Sequence, residues 1–263
     1  MSDKTSSQPL VTGLLRGLSV LRCFDHGRER LGSSDIARMT GLPQPTVWRL
    51  CKTLEHGGYL VADHDGKRFR PGLPILTLGY AALDTLELAE LARPLLEEVA
   101  TEFKGACGLS TPEGTHMLFV QRFEAPRAYL NFILRVGSEV PIVSSGTGWA
   151  YLAGLSEPER GKLLTQCRKE DPLLYREKAE DALAAISSYA TSGFISNVDV
   201  FFPGLATVAV PLTKAGRWTP YVLNCTTATP VLADAEIRQQ AGAALVRVAE
   251  QLLPIAVRLE AGA

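Results

Sequence analysis

Between Gly13 and Phe24 apolar residues recur three and four positions apart: Leu14, Leu18 and Leu21, with Val20 and Phe24 less regularly, mark one face of an amphipathic helix that ends near residues 25–27. A second, short helix is announced by Ser33-Ser34-Asp35, whose hydroxyls or carboxylate can cap its free amides. It carries Ile36, Ala37 and Met39 inward and stops at Gly41. Leu42-Pro43-Gln44-Pro45 makes a tight turn, and Pro45 suits the first turn of a third helix because its missing N–H has no partner there anyway. In that third helix, which runs to about His56, Val47, Leu50, Cys51 and Leu54 gather on one side, Arg49, Lys52 and His56 on the other, and Thr46 and Trp48 on the flanks. After Gly57-Gly58, residues 59–61 read as a strand, 63–67 as a turn about Asp65-Gly66, and Arg68-Phe69-Arg70 as the returning strand. Three helices followed by a basic hairpin have the order of a winged helix-turn-helix.

A cationic face on a lone helix fits the solvated side of an ordinary bundle better than a DNA reader. The hairpin changes the balance. A helix that opens with small polar residues and carries cations outward has the form that enters a major groove, and Lys67, Arg68 and Arg70 beside it can reach phosphates or the minor groove. The candidate contacts to a double-stranded operator are Ser34, Gln44, Pro45, Thr46, Trp48, Arg49 and Lys52, with Lys67, Arg68 and Arg70 on the hairpin. Docking of a protein in place of DNA is the alternative, which the basic outer face disfavours.

Residues 73–104 are rich in Leu, Ala and Glu and interrupted by Pro94, which predicts a connecting helix over 73–92, a break near Arg93-Pro94, and a second domain over 93–263. Tyr80, Leu83, Leu86 and Leu88 make the connector apolar on more than one side, as packing against a second copy or against its own domain would require. Beyond Gly105, residues 115–123 and 129–135 are strand-like, 148–154, 157–167 and 181–192 helical, 205–212 and 220–227 a hairpin, and 234–253 a last amphipathic helix. This mixture predicts an α+β chain whose second domain is a mainly antiparallel sheet with helices over it.

The chemistry of that domain is concentrated in Val140 to Ala150. Small residues from Ser144 to Gly148 precede a helix, so unpaired amides and the positive end of the helix dipole meet whatever lies in front, which suits an anion. A capped helix whose amides face water has the same spacing. On the strand over 221–226, Val222, Asn224 and Thr226 share one face, where an amide and a hydroxyl could orient a carboxylate or could simply face solvent. Phe119, Phe132, Trp149, Phe201 and Phe202 could line a site for an aromatic acid or supply an ordinary core. His116 reads as a surface or satisfied histidine.

Composition narrows the classes. The 263 residues are 46% apolar and 21% charged, an ordinary globular balance, and the net charge of −1 hides an asymmetry. Residues 1–80 hold 11 Lys and Arg against 7 Asp and Glu, and the remainder 16 against 21. Residues 1–12 read as a disordered tail; they lack the apolar stretch of a signal peptide, and no segment approaches a membrane span, so a cytoplasmic protein is expected. Five scattered cysteines with no zinc-like spacing predict reduced thiols, and no metal or cofactor is expected. Nucleophile-elbow, phosphate-loop, zinc-protease and dinucleotide motifs are lacking, so an enzyme is not expected.

The run from Ser34 to Leu60, S-D-I-A-R-M-T-G-L-P-Q-P-T-V-W-R-L-C-K-T-L-E-H-G-G-Y-L, with D-G-K-R-F-R-P-G at 65–72, resembles the DNA-binding domain of IclR-family transcriptional regulators. Trp48 departs from it, since the family tends to carry a smaller or more polar residue there. R-V-G-S-E-V-P-I-V-S-S-G-T-G-W-A-Y-L-A, residues 135–153, is similar to the turn on which the family's GAF-like effector domain holds small organic acids by backbone amides. The resemblance puts Gly148 and Trp149 at the donating positions, with Gly146 and Thr147 beside them. It also implicates residues 193–207, where Asn197 replaces a common acidic residue, Leu205 is shared and Thr207 replaces Cys or Ser, and it puts Asn224 and Thr226 where two serines are common. The resemblance therefore implies a self-associating regulator, a dimer or tetramer, whose operator binding is modulated by a small organic acid; the nearby rings suggest an aromatic one.

Overall fold

The computed structural model describes residues 10–24, 28–126, 128, 134–214 and 217–262, in two compact units, Met1–Thr85 and Leu86–Ala263. Most of the expected tail, and Phe132 with most of the strand expected over 129–135, lie outside the described residues.

The first unit runs α1 (Thr12–Leu21), β1 (Leu31–Gly32), α2 (Ser33–Thr40), α3 (Gln44–His56), β2 (Leu60–Ala62), β3 (Arg68–Pro71) and α4 (Pro74–Leu83). Strand β3 lies between β1 and β2, antiparallel to both, and Phe69 in it pairs with Leu31 on one side and Ala62 on the other. Its ring is wholly buried among Val20, Ile36, Val47, Cys51 and Leu60. At the head of α2 the Asp35 carboxylate accepts the Gly32 amide at 3.1 Å, so the expected acidic cap is made one residue before the serines. One inward assignment fails, and one apolar face stays largely uncovered. Leu14 and Leu18 are 63% and 48% exposed, α1 meeting the core through Gly17 and Val20, and Met39 also faces out. A periodic apolar stripe states that a surface wants cover, not that the same chain supplies it. None of the residues of α4 is buried.

The second unit follows as α5 (Glu87–Glu102), β4 (Ala106–Glu113), β5 (His116–Glu124), β6 (Glu139–Pro141), α6 (Gly146–Gly154), α7 (Glu157–Glu170), α8 (Pro172–Ser192), β7 (Ile195–Val198), β8 (Leu205–Lys214), β9 (Arg217–Ala228), α9 (Thr229–Ala233) and α10 (Ala235–Gly262). The helix break expected at Pro94 lies instead at residues 84–86, and α5 runs through Pro94. A proline inside a helix costs about 3 kcal/mol. Here the burial of Leu88, Ala92, Leu96 and Val99 along the same helix outweighs it. Likewise α10 continues through Pro254 beyond its expected end, and α8 begins at Pro172, with the Asp171 carboxylate accepting the Leu174 amide at 2.9 Å.

The six strands are ordered β6-β5-β4-β9-β8-β7 and every neighbouring pair is antiparallel. One face of the sheet sends Cys107, Leu109, Val208, Leu223 and Cys225 into a core with α5 and α10. The other sends Met117, Phe119, Ile195 and Val222 against α6, which α8 backs. The β4–β5 register slips once: Leu109 pairs with Gln121 but Ser110 with Phe119, so Val120 is an extra residue. Val120 joins the α5 core and Gln121 donates to the Ala89 carbonyl of α5 at 3.2 Å, both on the same side. Phe119 and Arg122 are thereby brought together on the α6 side. Among the described residues no helix is long and apolar enough to cross a membrane.

Candidate functional site

In α3, Val47 and Cys51 turn into the core, which leaves Arg49, Lys52 and His56 exposed on the opposite side. At its head Gln44 and Pro45 are exposed and Thr46 half-buried; Gln44 Nε2 donates to Ser34 Oγ at 3.0 Å, tying α2 to the first turn of α3. Trp48 is 41% exposed and sets its ring edge-on to Phe69, centroids 5.7 Å apart, so it braces the helix against the hairpin. The Lys52 ammonium sits 5.8 Å from the Trp48 ring centre and also pairs with the Glu55 carboxylate, which compensates part of its charge. Arg68 and Arg70 alternate with buried Phe69 and both face outward, and Lys67 is exposed at the end of the turn. Arg30, which sequence reasoning passed over, donates through Nη1 to both Asp63 oxygens at 3.2 Å, fastening the hairpin turn to the start of β1. A single Arg ahead of a two-residue strand carries no sequence signal for that role.

The second candidate is a cleft within the second unit, between the head of α6 and the polar rows of β7, β8 and β9. Register places Asn197, Thr207 and Thr226 in one cross-strand row, and Ala209, Asn224, Gly108 and Arg122 in the next. Asn197, Thr207, Asn224 and Thr226 line the cleft, as do Gly146, Thr147 and Leu205 from the expected set. Thr207 Oγ1 and Thr226 Oγ1 are 2.8 Å apart, Asn224 Nδ2 donates to Thr226 Oγ1 at 3.1 Å, and Asn197 Nδ2 donates to the Ser144 carbonyl at 3.3 Å. Phe119 and Phe201 also line it, whereas Phe202 does not.

Gly148 and Trp149, the expected donors, do not line the cleft. The Gly148 amide donates to Ser145 Oγ at 3.1 Å, the Trp149 amide to the Ser145 carbonyl at 2.9 Å, and the Trp149 indole to the Val143 carbonyl at 2.8 Å, with its ring in the apolar core. Ser145 caps α6 and so occupies the two amides the resemblance had assigned, leaving those of Gly146 and Thr147 beside the cleft. Gly148 serves the packing of α6 instead. A Cβ there would stand 2.2 Å from the Ile142 carbonyl oxygen, so the helix can seat on this turn only without a side chain.

Sequence reasoning missed Leu134, Val140 and Ser145 among the lining residues and, with more consequence, the charged Arg122. Its Nε and Nη1 are buried without a hydrogen-bond partner, and its guanidinium lies 5.5 Å from the centre of the Phe119 ring. Burial draws its pKa down from the ordinary value, against the pull of Glu124, and a guanidinium so placed keeps its charge. Asn224 is 1% exposed and its Oδ1 is also without a partner. Between them stands Gly108, where a Cβ would come 2.8 Å from the Phe119 ring and 3.0 Å from Asn224 Oδ1, so the close packing of these groups admits no side chain. Strict alternation from Phe119 puts Arg122 on the opposite face; only the extra residue in β5 brings it round, and nothing in the residue types announces that slip.

The sequence family described as IclR helix-turn-helix domain matches residues 13–64, and that described as Bacterial transcriptional regulator IclR C-terminal matches residues 80–253. The HTH-type transcriptional regulator TsaQ1/TsaQ2 of Comamonas testosteroni is 27% identical over 248 residues, which are 94% of this chain and 89% of that protein. Among solved structures, an IclR family transcriptional regulator from Brucella abortus is similar with a TM-score of 0.83 at 29% identity, over 94% of this chain and 93% of the other. An IclR homologue from Microbacterium hydrocarbonoxydans complexed with 4-hydroxybenzoate shares the fold, with a TM-score of 0.65 at 22% identity over 91% of this chain and 99% of that one.

Proposed function

We propose that this chain, which belongs to the IclR family of bacterial transcriptional regulators, grips a double-stranded operator with α3 and the β2–β3 hairpin, and that a small organic acid held in the cleft of the second unit modulates that grip. The observation that carries the proposal is the division of α3 into a packed side, Val47 and Cys51, and an open cationic side led by Arg49, with Arg68 and Arg70 outward on the neighbouring hairpin. Arg49 and the polar head of α3 read base edges, and the hairpin cations and Lys67 hold phosphates. Fluorescence anisotropy against duplexes from the DNA flanking the coding region, titrated with salt, tests it. Log affinity should fall with log salt at a slope of about −0.9 per phosphate neutralised. Arg49→Ala should cost about 1–3 kcal/mol, roughly 5- to 150-fold. Lys52→Ala should cost less, because Glu55 already shares that charge. Unchanged affinity in Arg49→Ala would take α3 out of the groove.

The cleft suits a carboxylate because the head of α6, Arg122 and a chain of side-chain hydroxyls and amides line it, and Phe119 and Phe201 add aromatic rings to its wall. The 4-hydroxybenzoate complex of a homologue with the same fold supports an aromatic acid. In the same anisotropy assay, a panel of aliphatic and aromatic carboxylates should contain at least one that changes operator affinity; a silent panel removes the acid from the proposal.

Pairing of two copies is the use we assign to the outward stripe of α1, with Leu14 and Leu18, and to the exposed Leu76 and Tyr80 of α4. Two-fold pairing sets recognition helices about one DNA turn, roughly 34 Å, apart. Occupancy of the cleft then shifts a pre-existing equilibrium between domain arrangements, and residues 84–86, where the chain leaves α4 for α5, are the flexion point. A Leu14→Glu, Leu18→Glu double variant should show about half the molar mass by light scattering and bind its operator at least about tenfold more weakly. An unaltered mass would reassign the stripe.

A further inference from the structure

We infer that Arg122 and Asn224 select the ligand of the cleft as a hydroxylated carboxylic acid, Arg122 taking the carboxylate and Asn224 Oδ1 taking a hydroxyl hydrogen. The inference rests on the acid-binding proposal above and narrows it to one class of acid.

A buried cation whose donors lack acceptors is a rare thing in a folded protein, because water has been removed and nothing put in its place. Arg122 is such a group: Nε and Nη1 have no partner, and the Phe119 face beneath the guanidinium holds its plane without offering a lone pair. An anion entering the cleft meets these donors together with the amides of Gly146 and Thr147.

Asn224 supplies the second half of the selection. Its Nδ2 is held by Thr226 Oγ1, itself joined to Thr207, which fixes the carboxamide with Oδ1 turned away from that chain, buried and lacking a donor. A carboxylate cannot satisfy an acceptor; a hydroxyl can. Asn224 and Arg122 flank Gly108 in the same cross-strand row, and both line the cleft. A ligand with an acid group at one end and a hydroxyl at the other satisfies three orphaned atoms at once.

Calorimetry on the full chain with two sets of probes tests this: 4-hydroxybenzoate, benzoate and 4-hydroxybenzamide, and glycolate, acetate and glycolamide. In at least one set the hydroxy acid should bind about tenfold or more tightly than both relatives, as hydrogen bonds to a charged group and to a buried acceptor imply. Arg122→Met should erase the preference for acid over amide, with Arg122→Lys restoring part of it, and Asn224→Leu should erase the preference for the hydroxyl while keeping that for the acid. Melting separates this role from a structural one, since losing an unpartnered cation should leave the melting temperature of Arg122→Met equal or higher. Preferences that survive the substitutions, a hydroxy acid no better than its relatives, or a marked drop in melting temperature with Arg122→Met would each overturn the inference and leave the acid-binding proposal standing. If no acid of either set binds the unaltered chain, that proposal falls as well, and this inference with it.

Discussion

A Phe69→Ala variant should lose the cooperative melting of the first unit and, with it, all measurable duplex binding, while the second unit melts as before. Phe69 is wholly buried, sits in the central strand of the three-stranded sheet with partners on both sides, and carries the ring against which Trp48 leans. Truncating such a ring costs about 3–5 kcal/mol. A unit spanning Met1–Thr85 holds only about 4–13 kcal/mol at roughly 0.05–0.15 kcal/mol per residue, so a large share of its stability goes. Geometry goes with it, because the hairpin is fixed to α3 through the Phe69–Trp48 contact and to β1 through Arg30 and Asp63. Phe69→Leu should cost less than about 2 kcal/mol and keep binding. Two-transition calorimetry and anisotropy check both variants; an intact first transition with near-normal affinity in Phe69→Ala would show that the hairpin does not depend on this ring.

Gly148→Ala should be the most damaging single methyl in the second unit. The added carbon would stand 2.2 Å from the Ile142 oxygen and 2.3 Å from its Cα, so the contact is with backbone and no rotamer change relieves it. Either the turn over residues 142–145 or the head of α6 must move, at a cost of about 3 kcal/mol, the upper range of overpacking. That movement displaces Gly146 and Thr147, so acid binding should weaken by about tenfold or more while acid-free operator binding persists. Denaturant unfolding of the second unit with ligand calorimetry measures both; normal stability would mean that the turn yields freely, and normal acid affinity would mean that the head of α6 plays no part in binding.

What the residues disclosed in advance was mostly local chemistry. The winged unit was legible because Pro45 at a helix start, the two-sided pattern of α3 and the Asp65-Gly66 turn are each fixed by neighbours in sequence. Strand β1 was not, since two residues carry no period, and β4 was not, since Gly108 and Pro112 break its alternation. In the cleft, the shared face of Val222, Asn224 and Thr226 followed from the period of a strand, and Asn197 and Thr207 came through the family resemblance. The structure engages the amides of Gly148 and Trp149 with Ser145, because a count of free amides at a helix head does not say which of them its own capping serine takes. Arg122 escaped because a register slip is decided by two strands meeting, which no reading of one strand contains.

That slip also bears on how the chemistry of such a cleft can change over time. Deleting the surplus Val120 would restore regular pairing and leave Arg122 opposite Gly108, but were the slip to fall beyond Arg122 instead of before it, the guanidinium would turn toward α5 and Gln121 would take its place in the cleft. The charge of the cleft can therefore be gained or lost through the place of one surplus residue in the pairing of two strands, with no substitution among the side chains that line it.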